Sequence, residues 1–450
     1  MKPPTLPPPA PPRPFAARAS NPEFWLIGLI AVQIVCQLAL LVEVLAPLRI
    51  AFRVSSFALS LVALAAVAGR AGNYPARWPA LGAIGILALG VLNPNTNTAI
   101  AAVGSILLNL AIVAPVVWAT KLPVTPRVLG RVFALLWGFH TASAAIGILQ
   151  VYYPGTFMPN LSSVISSRGD YAESLKITLT DGTSIYRPMG LTDVPGGAGS
   201  AGLNAFLFGM GFLATSRSWA VRGLAVASMG IGMFCVYLSY VRAALLIGVI
   251  VTTCFVAVLV AVGRVGAATR IGAVALVTAG LAFAWAASIG GENMLNRMQT
   301  LIEERPDEVY YANRGRMLSS TFEDTLPESP FGMGLGRWGM MNAYFGDPAM
   351  PDSPPLWVEV QWTAWAVDGG VPLMVAYVLA LVIALGTAGR CAALAADPWV
   401  AGWGAFMVAY DVATLAMTFS YVPFIAQIGL EFWMLNASLF VVAQRAVRRG

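Results

Sequence analysis

The sequence predicts an all-α polytopic membrane protein, with about 12 transmembrane helices and two long loops on its outer side. Three observations predict this class. Of 450 residues, 58% are hydrophobic and only 11% charged, and the mean hydropathy is +0.73, far from the composition of a soluble domain. Apolar runs of bilayer-crossing length recur along the chain from Phe24 onward. The basic residues between those runs alternate in density, as the positive-inside rule requires of a multi-pass chain.

In chain order, residues 1–22 hold nine prolines and no apolar period, so they are expected to be a disordered cytoplasmic tail without a signal-peptide core. Spans are expected at roughly 24–42, 50–68, 78–92, 97–119 and 128–152, within a first membrane unit of residues 23–152. A first long loop covers 153–196. Spans at about 197–214, 220–240, 243–262 and 271–290 make up the unit 197–290, and a second long loop covers 291–355. Three last spans, near 356–388, 399–418 and 423–443, complete the unit 356–450.

With the tail inside, every short inner loop carries Arg or Lys, so most of the 27 basic residues fall on the inner side and both termini are cytoplasmic. Both long loops then fall outside. Their turn formers (DVPGG, LPESPFG, GDPAMPDSPP) predict short helices and turns rather than a separate domain.

Composition also excludes function classes. Cys36, Cys235, Cys254 and Cys391 sit in apolar runs without CxxC spacing, and His140 is the single histidine, so no metal site is expected. The charge of +6 is scattered singly rather than gathered in a stripe, which argues against nucleic acid.

Chemistry is expected at the outer loops, where acids outnumber bases and an arginine is not explained by topology. Arg187, Arg242, Arg314, Arg316 and Arg337 are the candidates. Arg187 opens YRPMGLTDVPGGAGSAGLNAF, whose glycines let backbone N–H groups approach an anion at a helix start; the alternative is an ion pair with Asp193. Arg242 (SYVRAALL) lies between two spans with almost no loop, a costly place for a cation without a task. Arg314, Arg316 and Arg337 have many acidic neighbours in sequence and could be structural.

Glu359 and Asp368 stand nine residues apart in LWVEVQWTAWAVDGGV. On a continuous helix that is about 900° of rotation, so they point to opposite faces. Glu359 precedes Trp362 by three residues, pairing a carboxylate that could deprotonate a sugar hydroxyl with a ring that could stack on the sugar. Trp338, Trp357, Trp362 and Trp365 are the stacking candidates. Asp411 and Glu431 lie within the last two spans, where a structural polar contact is the default and a midplane transport site the alternative.

Four segments in order, YRPMGLTDVPGGAGSAGLNAF, SYVRAALL, RMLSSTFEDTLPESPFGMGLG and WAVDGGVPL, resemble the O-antigen ligase and O-antigen polymerase superfamily of bacterial polysaccharide assembly. The resemblance covers about residues 187–372. It implies a glycosyl-transfer enzyme at the periplasmic face of the bacterial inner membrane, so that the two long loops are periplasmic. Donor and acceptor are then undecaprenyl-diphosphate-linked oligosaccharides held beside the lipid bilayer, with no cofactor. A flippase and a chain-length regulator of the same pathway are the implied partners.

On that resemblance Arg187 and Arg242 grip the donor diphosphate, and Arg316 matches the arginine ahead of the glycine signature. The sequence departs from the ligases at one point: nine residues before the acidic-Gly turn, where they commonly carry a histidine, stands Glu359. That favours a repeat-unit polymerase for exopolysaccharide, capsule or O-antigen. A ligase or protein O-oligosaccharyltransferase is the alternative, and a secondary transporter the third reading.

Overall fold

A computed structural model of the chain describes residues 21–69, 71–161, 172, 173, 175–178, 182–303 and 306–447; at 289–303, 306, 307, 313 and 447 it describes the backbone only. Most of the proline-rich tail lies outside the described residues. About 76% of the structure is helical. The helices are α1 Glu23–Ala39, α2 Arg49–Ala66, α3 Arg77–Gly90, α4 Ala99–Lys121, α5 Pro126–Tyr152, α6 Gly197–Thr215, α7 Trp219–Leu238, α8 Arg242–Ala261 and α9 Val265–Glu303. After them come α10 (306–328), α11 Gly339–Phe345, α12 Gln361–Leu394, α13 Pro398–Met417 and α14 Gln427–Val447. Among the described residues nine helices are long and apolar enough to cross a membrane: α2, α4 to α9, α12 and α13. The apolar helices α1 and α3 are shorter, and α14 is not among the nine.

The starts are written locally. Thr98 and Thr125 accept from the N–H groups of Ala101 and Val128, and Asp397 from Trp399, with Pro126 and Pro398 in the first turn. These side chains satisfy N–H groups that the helix itself leaves unpaired, and proline loses nothing there.

Two expectations about the long loops are corrected. The second loop begins as a continuation of α9, which runs unbroken for 39 residues to Glu303, because no proline or glycine cap interrupts it before Pro306. It goes on as α10, a succession of α turns and wider π turns. The first loop contains an antiparallel hairpin, β1 Lys176–Thr178 with β2 Ser184–Tyr186, pairing Ile177 with Ile185; strands this short leave little periodicity to detect.

The bundle is organised around α6 and α13. Helix α6 packs on α5, α7 and α13, while α13 also contacts α8, α12 and α14. A Cβ at Gly232 would fall 2.9 Å from the backbone nitrogen of Phe206, so α6 and α7 approach with backbones nearly touching, the contact small residues permit in a membrane. Between α5, α6 and α13, Phe133 stacks on Trp403 at 4.0 Å, with Phe208 and Phe406 against them.

The two ends of the bundle differ in chemistry. At one end basic side chains cap helix carbonyls: Lys121 on Val67, Arg222 on Ser216, and Arg270 on Leu213, a favourable place for cations. At the other, the α3–α4 turn meets the second loop. Asn93 donates to the carbonyl of Gly332 at 2.9 Å, and Asn97 to those of Asp347 and Ser353 at 3.0 and 2.9 Å.

Candidate functional site

The second of these ends gathers most of the charged residues singled out above. Arg187 follows β2, is half-buried, and its Cδ lies beside Gly196, whose φ of 86° starts α6. The same glycine faces Val241, next to Arg242, the first residue of α8. Tyr240 just ahead has φ 56°, the one non-glycine residue with positive φ among the described residues. Strain of this kind, about 1–3 kcal/mol, persists only where surroundings enforce it. Here Ser239 holds the turn, donating to Val236 and accepting from Val241.

Between Arg187 and α6 the chain makes a turn fixed by side chains of α5. The amide of Gln150, 1% exposed, accepts from Met189 and Gly190 at 2.7 and 2.8 Å and donates to Gly190 and Phe157. Ser143 accepts from Leu191 at 2.9 Å. The turn delivers Asp193, 3% exposed, to two arginines of α2: Arg49 at 2.9 Å and Arg53 at 2.7 Å.

Sequence reading paired Asp193 only with Arg187 and passed over Arg49 and Arg53. The signal that could have found them is the one applied to Arg187: at the start of the second span they too stand on the outer side of the expected topology.

Glu359 lies in an extended segment, two residues before α12 begins at Gln361. The 900° rotation therefore does not apply, because no helix joins Glu359 to Asp368. Arg314, in a π turn of α10, donates to Oε2 of Glu359, while Oε1 accepts nothing among the described residues. Tyr310 donates to the carbonyl of Phe419 at 2.9 Å; burial raises its pKa, opposed by the nearby Arg314 charge. Trp362 is half-buried against Phe322, Trp365 and Phe419.

The start of α12 is tied to the turn between α13 and α14. Gln361 N–H donates to the carbonyls of Thr418 and Tyr421, and Tyr421 lies within electrostatic reach of Arg53.

Three other candidates are placed in the packing. The Arg337 side chain is buried and donates to the carbonyls of Pro354 and Met333 at 3.1 and 2.9 Å, clipping the loop; burial lowers its pKa. Trp338 is buried and donates to Asp368 at 2.8 Å. Trp365 is 3% exposed and stacked between Tyr377 and Phe424. A ring enclosed in this way presents no face to a sugar. Arg316 and Trp357 are exposed.

The glycine signature and the acidic-Gly turn interlock. Gly370 breaks α12 with φ 62° and ψ −150°, and a Cβ there would run into the carbonyl of Pro330. Val371 donates to that carbonyl and Met333 to Val367. Gly332, Gly334 and Gly336 all have positive φ and sit directly on backbone of α12 or of the α3–α4 region. These glycines allow close chain crossing.

Asp411 and Glu431 each have their own partners. Asn436 donates to Asp411 at 2.8 Å, and Gln33 donates to Glu431.

No protein-family model and no curated protein matches this chain.

Proposed function

We propose that the chain is a polymerase of undecaprenyl-diphosphate-linked oligosaccharide repeat units, with 12 transmembrane helices, cytoplasmic termini and its site at the periplasmic face of a bacterial inner membrane. The observation that carries this reading is the placement, at one end of an apolar helix bundle, of arginines from four chain segments and of a half-buried glutamate paired with Arg314 three residues before a partly open tryptophan.

Arginine forks at membrane level suit a lipid diphosphate, whose leaving charge needs fixed donors. A carboxylate with one free oxygen can take a proton from a sugar hydroxyl. In the reaction so read, the acceptor hydroxyl oxygen forms a bond to the anomeric carbon of the donor. The bond from that carbon to the diphosphate oxygen breaks, and its electron pair leaves with the diphosphate, held by Arg187 and Arg242. Oε1 of Glu359 takes the hydroxyl proton. Arg314 orients Glu359, Trp362 stacks on the acceptor, and the exposed Arg316 assists with the donor.

Purified protein in lipid vesicles, given lipid-linked repeat units from its host, should yield a polymer ladder resolved by size. Arg187→Ala should erase the ladder while the protein remains inserted and folded. Glu359→Gln should slow chain growth at least 100-fold, in the range that general-base removal costs, while donor binding is kept. No ladder from the parent chain would refute the polymerase reading, and a full ladder from Arg187→Ala would remove Arg187 from the donor grip. Products only after a second acceptor is added would instead identify a ligase.

A further inference from the structure

The pair of α2 arginines lies outside the donor grip just proposed. Arg49 and Arg53 are one helical turn apart, so their side chains leave the same face, and both reach a single oxygen, Oδ2 of Asp193, through Nη2. Two cations on one anion leave an excess of one positive charge. Their Nε atoms are buried and take no partner among the described residues, while the side chains as a whole stay 17% and 30% accessible.

A carboxylate is a poor match for two forks at once, since it offers two oxygens and one charge. A phosphate group offers three oxygens and more charge to the same donors. Asp193 itself is held in place: Gln150 and Ser143 fix the residues before it, and Thr192 donates to Met189. The arginines, on long side chains, are the movable partners.

We propose that Arg49 and Arg53 form a second diphosphate-binding site, in which Asp193 is the resident counter-anion until a ligand diphosphate draws the two guanidinium groups away from it. In a polymerase both substrates are lipid diphosphates, and this site receives the acceptor's. For that assignment the inference rests on the polymerase reading; the binding itself does not.

The test is calorimetric titration of the full chain in nanodiscs of zwitterionic lipid, with inorganic diphosphate and farnesyl diphosphate as probes. The Arg187→Ala/Arg242→Ala variant should still bind diphosphate. Adding Asp193→Asn to it should tighten binding about tenfold, because a competing unit charge a few ångströms away is removed. Adding Arg49→Gln/Arg53→Gln should abolish binding. Equal affinity for both probes marks a site for free diphosphate, and tighter farnesyl diphosphate marks a lipid headgroup site.

Unchanged affinity in Asp193→Asn, or undiminished affinity in the Arg49/Arg53 variant, overturns the proposal. If Asp193→Asn does not fold, Arg49→Lys/Arg53→Lys against the Gln pair decides: retained binding with lysine and loss with glutamine supports the site, and equal binding overturns it. Loss of all binding in Arg187→Ala/Arg242→Ala removes the second site but leaves the donor grip standing. Binding that survives there, with no polymer ladder from the parent chain, removes the polymerase reading but leaves this site standing.

Discussion

Gln150 carries no charge and does no chemistry, yet it uses both ends of its amide on the turn that presents Asp193 to Arg49 and Arg53. Replacing it with leucine removes the acceptor for two backbone N–H groups and the donor for two carbonyls. A buried group left unsatisfied costs about 1–3 kcal/mol. Gln150→Leu should therefore lower the thermal unfolding midpoint measurably; an unchanged midpoint would show that other contacts hold the turn. Trp362 and Trp365 make the complementary point. Three residues apart and identical in sequence terms, one is half-buried against Phe322 and Phe419 and the other is enclosed by Tyr377 and Phe424. Hydropathy cannot separate them, because what encloses Trp365 comes from its own helix and from the α13–α14 turn.

At the scale of elements, the chain's most distinctive pattern, PFGMGLG followed by DGG, is a crossing of a loop over a broken helix. The sequence shows glycine at these positions but not what is close to them. The backbone answers: Gly370 needs positive φ and abuts Pro330, and Gly332 abuts Gly369. Gly370→Ala should cost about 1–3 kcal/mol for the strained conformation, plus the displacement of the 330–333 segment. Reduced yield of folded protein on size-exclusion chromatography, together with protease sensitivity at the loop, is the expected readout. A variant as stable as the parent would mean that the crossing can relax. The helix starts are a different case, since Thr98, Thr125 and Asp397 cap within three residues of themselves. Such signals are local and were readable.

At the scale of the whole molecule, the expected topology places the β1–β2 hairpin outside and the α6–α7 turn inside. Thr183 and Ser218 are both exposed, and Cys36, Cys235 and Cys391 are buried, so added cysteines report with little background. In intact spheroplasts an impermeant maleimide should label Thr183→Cys at once, and Ser218→Cys only after permeabilisation. The reverse pattern would invert the bundle and place the arginine end in the cytoplasm, away from any periplasmic polymer. Lys121, Arg222 and Arg270 over helix carbonyls at the end expected inside fit that orientation, and the labelling pattern tests it.

The sequence by itself determined that this is a helical protein with helices long and apolar enough to cross a membrane. Span length, hydropathy and loop charge are properties of contiguous residues, so they survive without a fold. Only the tertiary structure decided that α9 continues far into the second loop, that Glu359 stands outside its helix facing Arg314, and that Asp193 belongs to Arg49 and Arg53. It also turned Arg337, Trp338 and Trp365 from ligand candidates into packing. The reason is common to all of these. A charge or a ring acquires its role from what lies across from it, and the residues across from these come from elsewhere in the chain, in the case of Asp193 some 140 positions away.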